Sequence, residues 1–426
     1  MKPICINGYC FDRIHLWVQY HKSIPLFIEV VVEVFYPKHR QAEGLVMFNH
    51  GFLIGNDLLY YPKKILGAFL NDNPLFGINP SYYYNYSSAA ADNNWAIAFI
   101  SASHSQGTGL PGIDIGGNPR VGQEAYAAAS YLIKYGATDL FYREDECGRN
   151  QLFFDCSLPG KSRFMTSNKV IFAGHSVGGA HAQAAACGFD ELKKIGGKTG
   201  KPFNPIIYDR EFLPVSSEPL SEWEPAHRAS PVGLLQLSPV DQYFPLVAPG
   251  MQPYREALSV KPMPIVMAVG ECDCPSLLSS TPPAWQENTD KPTQFKQLAP
   301  AGGNSWAVAA RIAKGSHCGY LTEPDTLCQV SDSEKECNLC PGIAPYPPDG
   351  DESAFTTELF RRFIALNSKR NEGKGSRNEW LTSPFISWLN KQSPDGTVKL
   401  LPFRSGQYID YAGAETMQKA QGAGIP

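Results

Sequence analysis

The sequence predicts an α/β fold: a mostly parallel central sheet with helices on both faces, carrying loop insertions and a C-terminal appendage. Three observations lead there. Short apolar runs of buried-strand type recur along the chain, helical stretches stand between them, and the alternation continues without an internal repeat, as in a single α/β unit. Strands of a parallel sheet are covered on both faces, so they read as continuous apolar runs.

The elements follow in order. Residues 26–35 alternate Glu and Val and read as an early strand ended by Pro37. Residues 43–49, 95–101, 169–173, 231–237 and 264–269 are short apolar runs, and 308–314 is a weaker one. Helical spacing falls at 58–70, 122–135, 178–187 and 353–367. Three long interruptions lie near 71–94, 101–120 and 190–230, as functional lids or surface decorations do. The catalytic unit is placed at 1–367. Residues 368–426 read as a polar linker and an appendage whose Trp380, Phe385, Trp388 and Leu389 can dock on the main body.

Composition removes several function classes. With 426 residues, 43% hydrophobic and 12% aromatic, the chain can bury a large core, which excludes disordered and collagenous classes. Lys and Arg total 37 against 41 Asp and Glu, without a long basic run, so nucleic acid is not the expected partner. The longest apolar stretch, 26–36, is cut by Glu29 and Glu33 and is too short to span a bilayer.

The strongest chemical signal is Gly174-His175-Ser176-Val177-Gly178, preceded by the apolar run Val170-Ile171-Phe172-Ala173 and followed by small residues. Gly-x-Ser-x-Gly between a strand and a helix is a nucleophile elbow, a sharp turn that aims a serine hydroxyl out of the sheet. The glycines two positions either side are needed because the turn presses their backbones on the neighbouring strand and helix. Ser176 also sits at a helix N-terminus, where amide groups stabilise developing negative charge.

On these residues the chain resembles the α/β-hydrolase superfamily, in its branch of serine esterases and lipases. The resemblance implies that the strand and His-Gly turn Val46-Met47-Phe48-Asn49-His50-Gly51-Phe52 supply half of an oxyanion hole, through the Phe52 amide with that of Val177 as its partner. His50 is then a structural turn residue rather than the base. The base is expected after the last strand, and Lys314-Gly315-Ser316-His317-Cys318-Gly319 offers it as His317; His181 and His227 read as packing or surface residues. Asp273, after the strand 264–269, stands where lipases, platelet-activating-factor acetylhydrolases and polyester hydrolases keep their acid. Asp241 is the second candidate, because Pro239-Val240-Asp241 resembles plant chlorophyllases, whose elbow is also Gly-His-Ser-x-Gly-Gly; Glu271 is an outsider. Val177 stands where chlorophyllases carry Arg.

The expected reaction is hydrolysis of a small-molecule or lipid-like carboxylic ester through an acyl-enzyme on Ser176, with His317 as base and no metal or organic cofactor. A run of tyrosines, Tyr82, Tyr83, Tyr84 and Tyr86, would point to a bulky apolar alcohol or acyl group if it lined a pocket, although tyrosines in a loop are more often packing or surface residues. Chlorophyllase-type cleavage of a phytyl ester is a narrower possibility. A peptidase or acyltransferase uses the same triad, and a hydrolase-fold protein that binds without catalysis is the rival outside enzymes.

The 11 cysteines cluster as Cys5/Cys10, Cys147/Cys156, Cys272/Cys274/Cys318 and Cys328/Cys337/Cys340, which reads as loop disulfides in preference to a zinc site. Cys187, in a small-residue helix, is the expected free thiol. If Asp273 and His317 are hydrogen-bonded, Cys272 or Cys274 lies near Cys318, and a bridge is expected there. An oxidising compartment follows: secreted or organelle-luminal, with a plastid implied if the chain is chlorophyllase-like. No heptad or repeat speaks to oligomeric state.

Overall fold

Side chains on a strand point alternately to opposite faces, so a strand that is apolar throughout feeds two separate core layers. The structure, a computed structural model, describes residues 4–6, 9–24, 27–37, 40–51, 80–102, 122–136, 165–209, 213–239, 248–270, 273, 294–295, 297–298, 306–312, 315–321, 351–369, 383–392 and 407–411.

The chain opens with an antiparallel ribbon of β1 (Ile4–Ile6), β2 (Tyr9–Gln19) and β3 (Phe27–Pro37), with proline closing the last strand. β4 (Leu45–Asn49) follows, then α1 (Tyr86–Asp92), β5 (Ala96–Ala102), α2 (Gln123–Tyr135) and β6 (Lys169–His175). Next come α3 (Val177–Ala186), α4 (Phe189–Lys198), β7 (Ile206–Asp209), β8 (Ser230–Leu237) and α5 (Ala248–Ser259). β9 (Pro264–Gly270), β10 (Trp306–Ile312), α6 (Asp351–Lys369), α7 (Pro384–Gln392) and β11 (Gln407–Tyr411) complete the described elements.

One sheet of 11 strands collects them in the order β1-β2-β3-β5-β4-β6-β8-β9-β10-β11, with β7 paired to β2. Every pairing from β5 to β11 is parallel, and β3 runs antiparallel to β5. Met47, Phe172, Leu234 and Met267 face one layer with α2, α3, α4 and α5. Phe48, Ile171, Leu235 and Val266 face the other, under α1, α6 and α7. The mostly parallel sheet with helices on both faces is thus as the sequence predicts. C-terminal to residue 368, α7 stacks Trp388 on Phe355 of α6 (ring centroids 5.6 Å apart), and β11 pairs with β10.

The seven strands read from the sequence are present with ends shifted by a few residues. β10 starts two residues early, at Trp306, because it pairs in register with Pro264, and it ends at Ile312, whose carbonyl accepts the Gly315 amide as the chain turns. β2, α1, α4, β7 and α5 are additions to the sequence reading. β2 buries alternate residues, but the buried set includes Asp12 beside Cys10, Ile14, Leu16 and Val18, which disguises the period. α4 and β7 lie inside the 190–230 interruption; α4 buries only Phe189, Leu192, Ile195 and Gly196 on one face of an otherwise charged helix. α5 contains Pro253, a residue that argues against a helix interior. The predicted helix at 58–70 lies outside the described residues.

The tyrosine run is packing rather than pocket lining. Tyr83 and Tyr86 are fully buried, and the Tyr86 hydroxyl meets the Tyr320 carbonyl and Thr356. Tyr84 is wedged among Phe11, Phe35 and Phe99, with its hydroxyl on Glu33. Their hydroxyls find partners inside the protein, which is what burying a phenol requires.

Cys10, opposite Cys5 in the β1–β2 register, and Cys318 are disulfide-bonded. Cys147, Cys156, Cys272, Cys274, Cys328, Cys337 and Cys340 lie outside the described residues. Cys187 is free and buried, its Sγ near the Gln183 and Tyr254 carbonyls, and burial pushes its thiol up to about 12. Because the thiolate is the nucleophile, iodoacetamide at pH 8 should leave Cys187 unmodified in the native protein and alkylate it after denaturation; peptide mass mapping checks this, and modification in the native state would contradict the burial. Among the described residues no helix is long and apolar enough to cross a membrane, and no cluster of three or more His, Cys, Asp or Glu is placed to hold a metal.

Candidate active site

Four strand ends on one edge of the parallel sheet build the site. β6 ends at His175, and Ser176 follows with φ 56° and ψ −127°, outside the region that ordinary residues occupy. Such backbone costs about 1–3 kcal/mol and persists only when its surroundings over-determine it. Here they do: the Ser176 amide donates to the Leu237 carbonyl at 2.9 Å, and its carbonyl accepts the Gly179 amide at 2.9 Å. α3 starts at Val177, so that amide belongs to the first turn, where N–H groups have no acceptor within the helix.

The elbow also explains its glycines. A Cβ on Gly178 would lie 2.1 Å from the Asn49 carbonyl oxygen and 2.4 Å from that of His50, so the turn after β4 rests directly on the start of α3. Gly178→Ala should therefore destabilise the fold by about 1–3 kcal/mol or more and lower activity together with stability. Thermal unfolding checks this; an unchanged melting temperature would mean the two turns are not in contact.

His317, the expected base, arrives from the far side. After β10 the chain turns at Gly315, and the Ser316 amide donates to Oε2 of Glu352, a buried carboxylate at the start of α6, at 3.0 Å. His317 follows, with its Nε2 3.0 Å from the Ser176 hydroxyl and its Nδ1 2.8 Å from Oδ1 of Asp273. Asp273 is fully buried, its amide hydrogen-bonded to the Gly270 carbonyl at the end of β9. Gly270 in turn has to be glycine, since a Cβ there would meet the Gly315 carbonyl oxygen at 2.5 Å. The acid and base loops are thereby held backbone against backbone.

Ser176, His317 and Asp273 thus form one hydrogen-bonded chain, with Ser176 and His317 each 6% exposed and Asp273 fully buried. Neighbouring Tyr320 remains a neutral hydroxyl, raised well above the ordinary tyrosine range by burial and further by the negative charges of Glu352 and Asp273; it bonds Ser238 Oγ at 2.8 Å.

The chain has the α/β-hydrolase fold. That follows from the parallel sheet, the strained serine between β6 and α3, and the hydrogen-bonded Asp273 and His317 on later strand ends. No protein-family model and no curated protein sequence matches it significantly. Among solved structures, similarity is found to a thermostable esterase from Pseudomonas putida, with 13% identity, TM-score 0.39 and 86% of each chain covered. An S-formylglutathione hydrolase from Agrobacterium tumefaciens is similar at 10% identity and TM-score 0.39, over 87% of this chain and 98% of that one. A hyperthermophilic esterase from Pyrobaculum calidifontis matches at 10% identity and TM-score 0.40, over 85% of each. At such identities these similarities say nothing about substrate.

The other sequence candidates fall elsewhere. Buried His50 turns its Nδ1 onto the neighbouring Gly51 carbonyl, 2.8 Å away. His181 accepts the Gly122 amide on the flank of α3, and His227 sits on a short 3-10 turn beside Glu224. Phe52, Asp241 and Glu271 lie outside the described residues. The sequence reading passed over His175, Tyr83 and Glu352, all buried beside the site. His175 was visible only as the variable position of the elbow, and Tyr83 only as one of a run.

Proposed function

We propose that this protein is a serine carboxylic-ester hydrolase. The carrying observation is the chain from Asp273 through His317 to Ser176, at 2.8 and 3.0 Å. Asp273 holds the Nδ1–H tautomer, which leaves Nε2 free to take the Ser176 proton as the hydroxyl attacks the ester carbonyl. The tetrahedral oxyanion is held by the Val177 amide, with the Phe52 amide as its proposed partner. Collapse expels the alcohol, protonated by His317, and leaves an acyl-Ser176; water, activated by the same imidazole, then releases the acid. Nothing in this sequence of steps calls on a metal or organic cofactor.

The test is labelling by a fluorophosphonate probe, which esterifies an activated serine, followed by an ester panel. Labelling of Ser176 and hydrolysis are expected. A native protein that takes no label would favour a hydrolase-fold binding protein instead. A bulky apolar acyl or alcohol group is the proposed substrate feature, although the buried tyrosines do not carry it. The panel therefore includes short acyl, long acyl, phytyl and polymer esters; preference for the short acyl class would remove the bulky-group reading, and preference for the phytyl ester would favour the chlorophyllase type. The disulfides at Cys10 and Cys318 support placement in an oxidising compartment, secreted or in an organelle lumen.

A further inference from the structure

Three separate segments must keep register for the proposed reaction: the turn after β4, the elbow after β6 and the loop after β10. A line of buried hydrogen bonds runs through all three. The Gly51 amide donates to the Tyr83 hydroxyl oxygen at 3.1 Å; that hydroxyl lies 2.7 Å from His175 Nδ1; and His175 Nε2 lies 2.6 Å from the backbone carbonyl of His317. Tyr83 and His175 are both fully buried.

Valence fixes one proton on this line, and a neutral His175 fixes the rest. A carbonyl only accepts, so Nε2 of His175 carries a proton. Neutral imidazole then has a bare Nδ1 that accepts from the Tyr83 O–H, and the phenol oxygen still has a lone pair for the Gly51 N–H. This assignment satisfies each of these three bonds, with all their donors pointing from the β4 turn toward the base loop. The His175 ring also lies against the rings of His317 and Tyr320, centroids 4.9 and 5.2 Å away, so it has little room to turn.

We propose that His175 and Tyr83 are positioning residues: a neutral, Nε2-protonated His175 ties the base-bearing loop to the elbow, and Tyr83 ties the elbow to the turn that leads into the oxyanion hole. This rests on the esterase reading for its purpose and on the hydrogen-bond line for its geometry. The elbow residue beside the nucleophile thereby sets where the base and the oxyanion donor stand relative to it. Loss of either link lets the reacting groups drift, and a drift of about 1 Å costs on the order of 10²-fold in rate.

The experiment has an activity arm and a spectroscopic arm. Tyr83→Phe and His175→Leu should each lower kcat about 10- to 100-fold with KM within about twofold and native circular dichroism retained. His175→Gln, whose amide can still donate to the His317 carbonyl, should recover most of the loss. Equal losses in the Leu and Gln variants, or kcat unchanged in Tyr83→Phe, would overturn the proposal. In the wild-type protein, 15N NMR of the imidazoles should show His175 neutral with its proton on Nε2 at pH 7, a readout that needs no activity. A protonated ring or the Nδ1–H tautomer would also overturn it. Failure of the esterase reading looks different: wild-type protein that takes no fluorophosphonate label, whatever the His175 tautomer.

Discussion

Ser176→Ala should eliminate turnover of an activated ester, by about 10⁴- to 10⁶-fold, with the residue of activity coming from the oxyanion donors and binding alone. Fluorophosphonate labelling should vanish with it. Alanine inherits the same positive φ, and the only side-chain contact removed among those described above is the 3.0 Å bond to His317, so stability should change little. That separation is the point of the measurement: a thermal unfolding curve matching wild type, beside abolished kcat, assigns the loss to chemistry. Residual activity above about one part in a hundred would place the nucleophile elsewhere.

The second large effect is at the acid. Asp273→Asn keeps the shape of a fully buried side chain but presents to Nδ1 of His317 an amide that can donate a proton as well as accept one. If it donates, Nδ1 must be the acceptor, the imidazole proton moves to Nε2, and the ring can no longer take the Ser176 proton. The charge that stabilises the imidazolium also disappears. Turnover should fall by about 10³- to 10⁴-fold, measured as kcat on the same ester, while Asp241→Asn should stay within about threefold. The reverse ranking would transfer the acid role to Asp241 and bring the chlorophyllase type forward.

How much of this was legible in the chain differs by element. The apolar runs that became β4, β5, β6, β8 and β9 could be read because a strand covered on both faces tolerates few polar residues, and each of these sits in the middle of the sheet. β2 and β7 lie on its antiparallel side, where half the side chains are only partly buried and Asp12 sits among the buried set, so composition could not mark them. α4 was hidden because its stability comes from Phe189, Leu192 and Ile195 meeting the core rather than from helix propensity, which Gly196 and Gly197 oppose. The tyrosine run invited a pocket because aromatic residues line pockets and cores alike; only burial distinguishes the two.

By itself, the sequence determined that Ser176 stands on an elbow, because Gly174, Gly178 and an apolar strand followed by small residues are requirements of one local backbone path. It also offered His317 as the expected base and Asp273, Asp241 and Glu271 as candidate acids, because the order of strands limits which loops can reach the serine. Tertiary structure alone decided that Asp273 is the carboxylate on His317, since that depends on Gly270 packing against Gly315 across two loops. The line through Gly51, Tyr83, His175 and the His317 carbonyl is likewise a product of the fold, joining residues up to 142 positions apart. A hydrogen bond is satisfied over about 3 Å of space and carries no trace of chain distance, so no local pattern of residues can announce it.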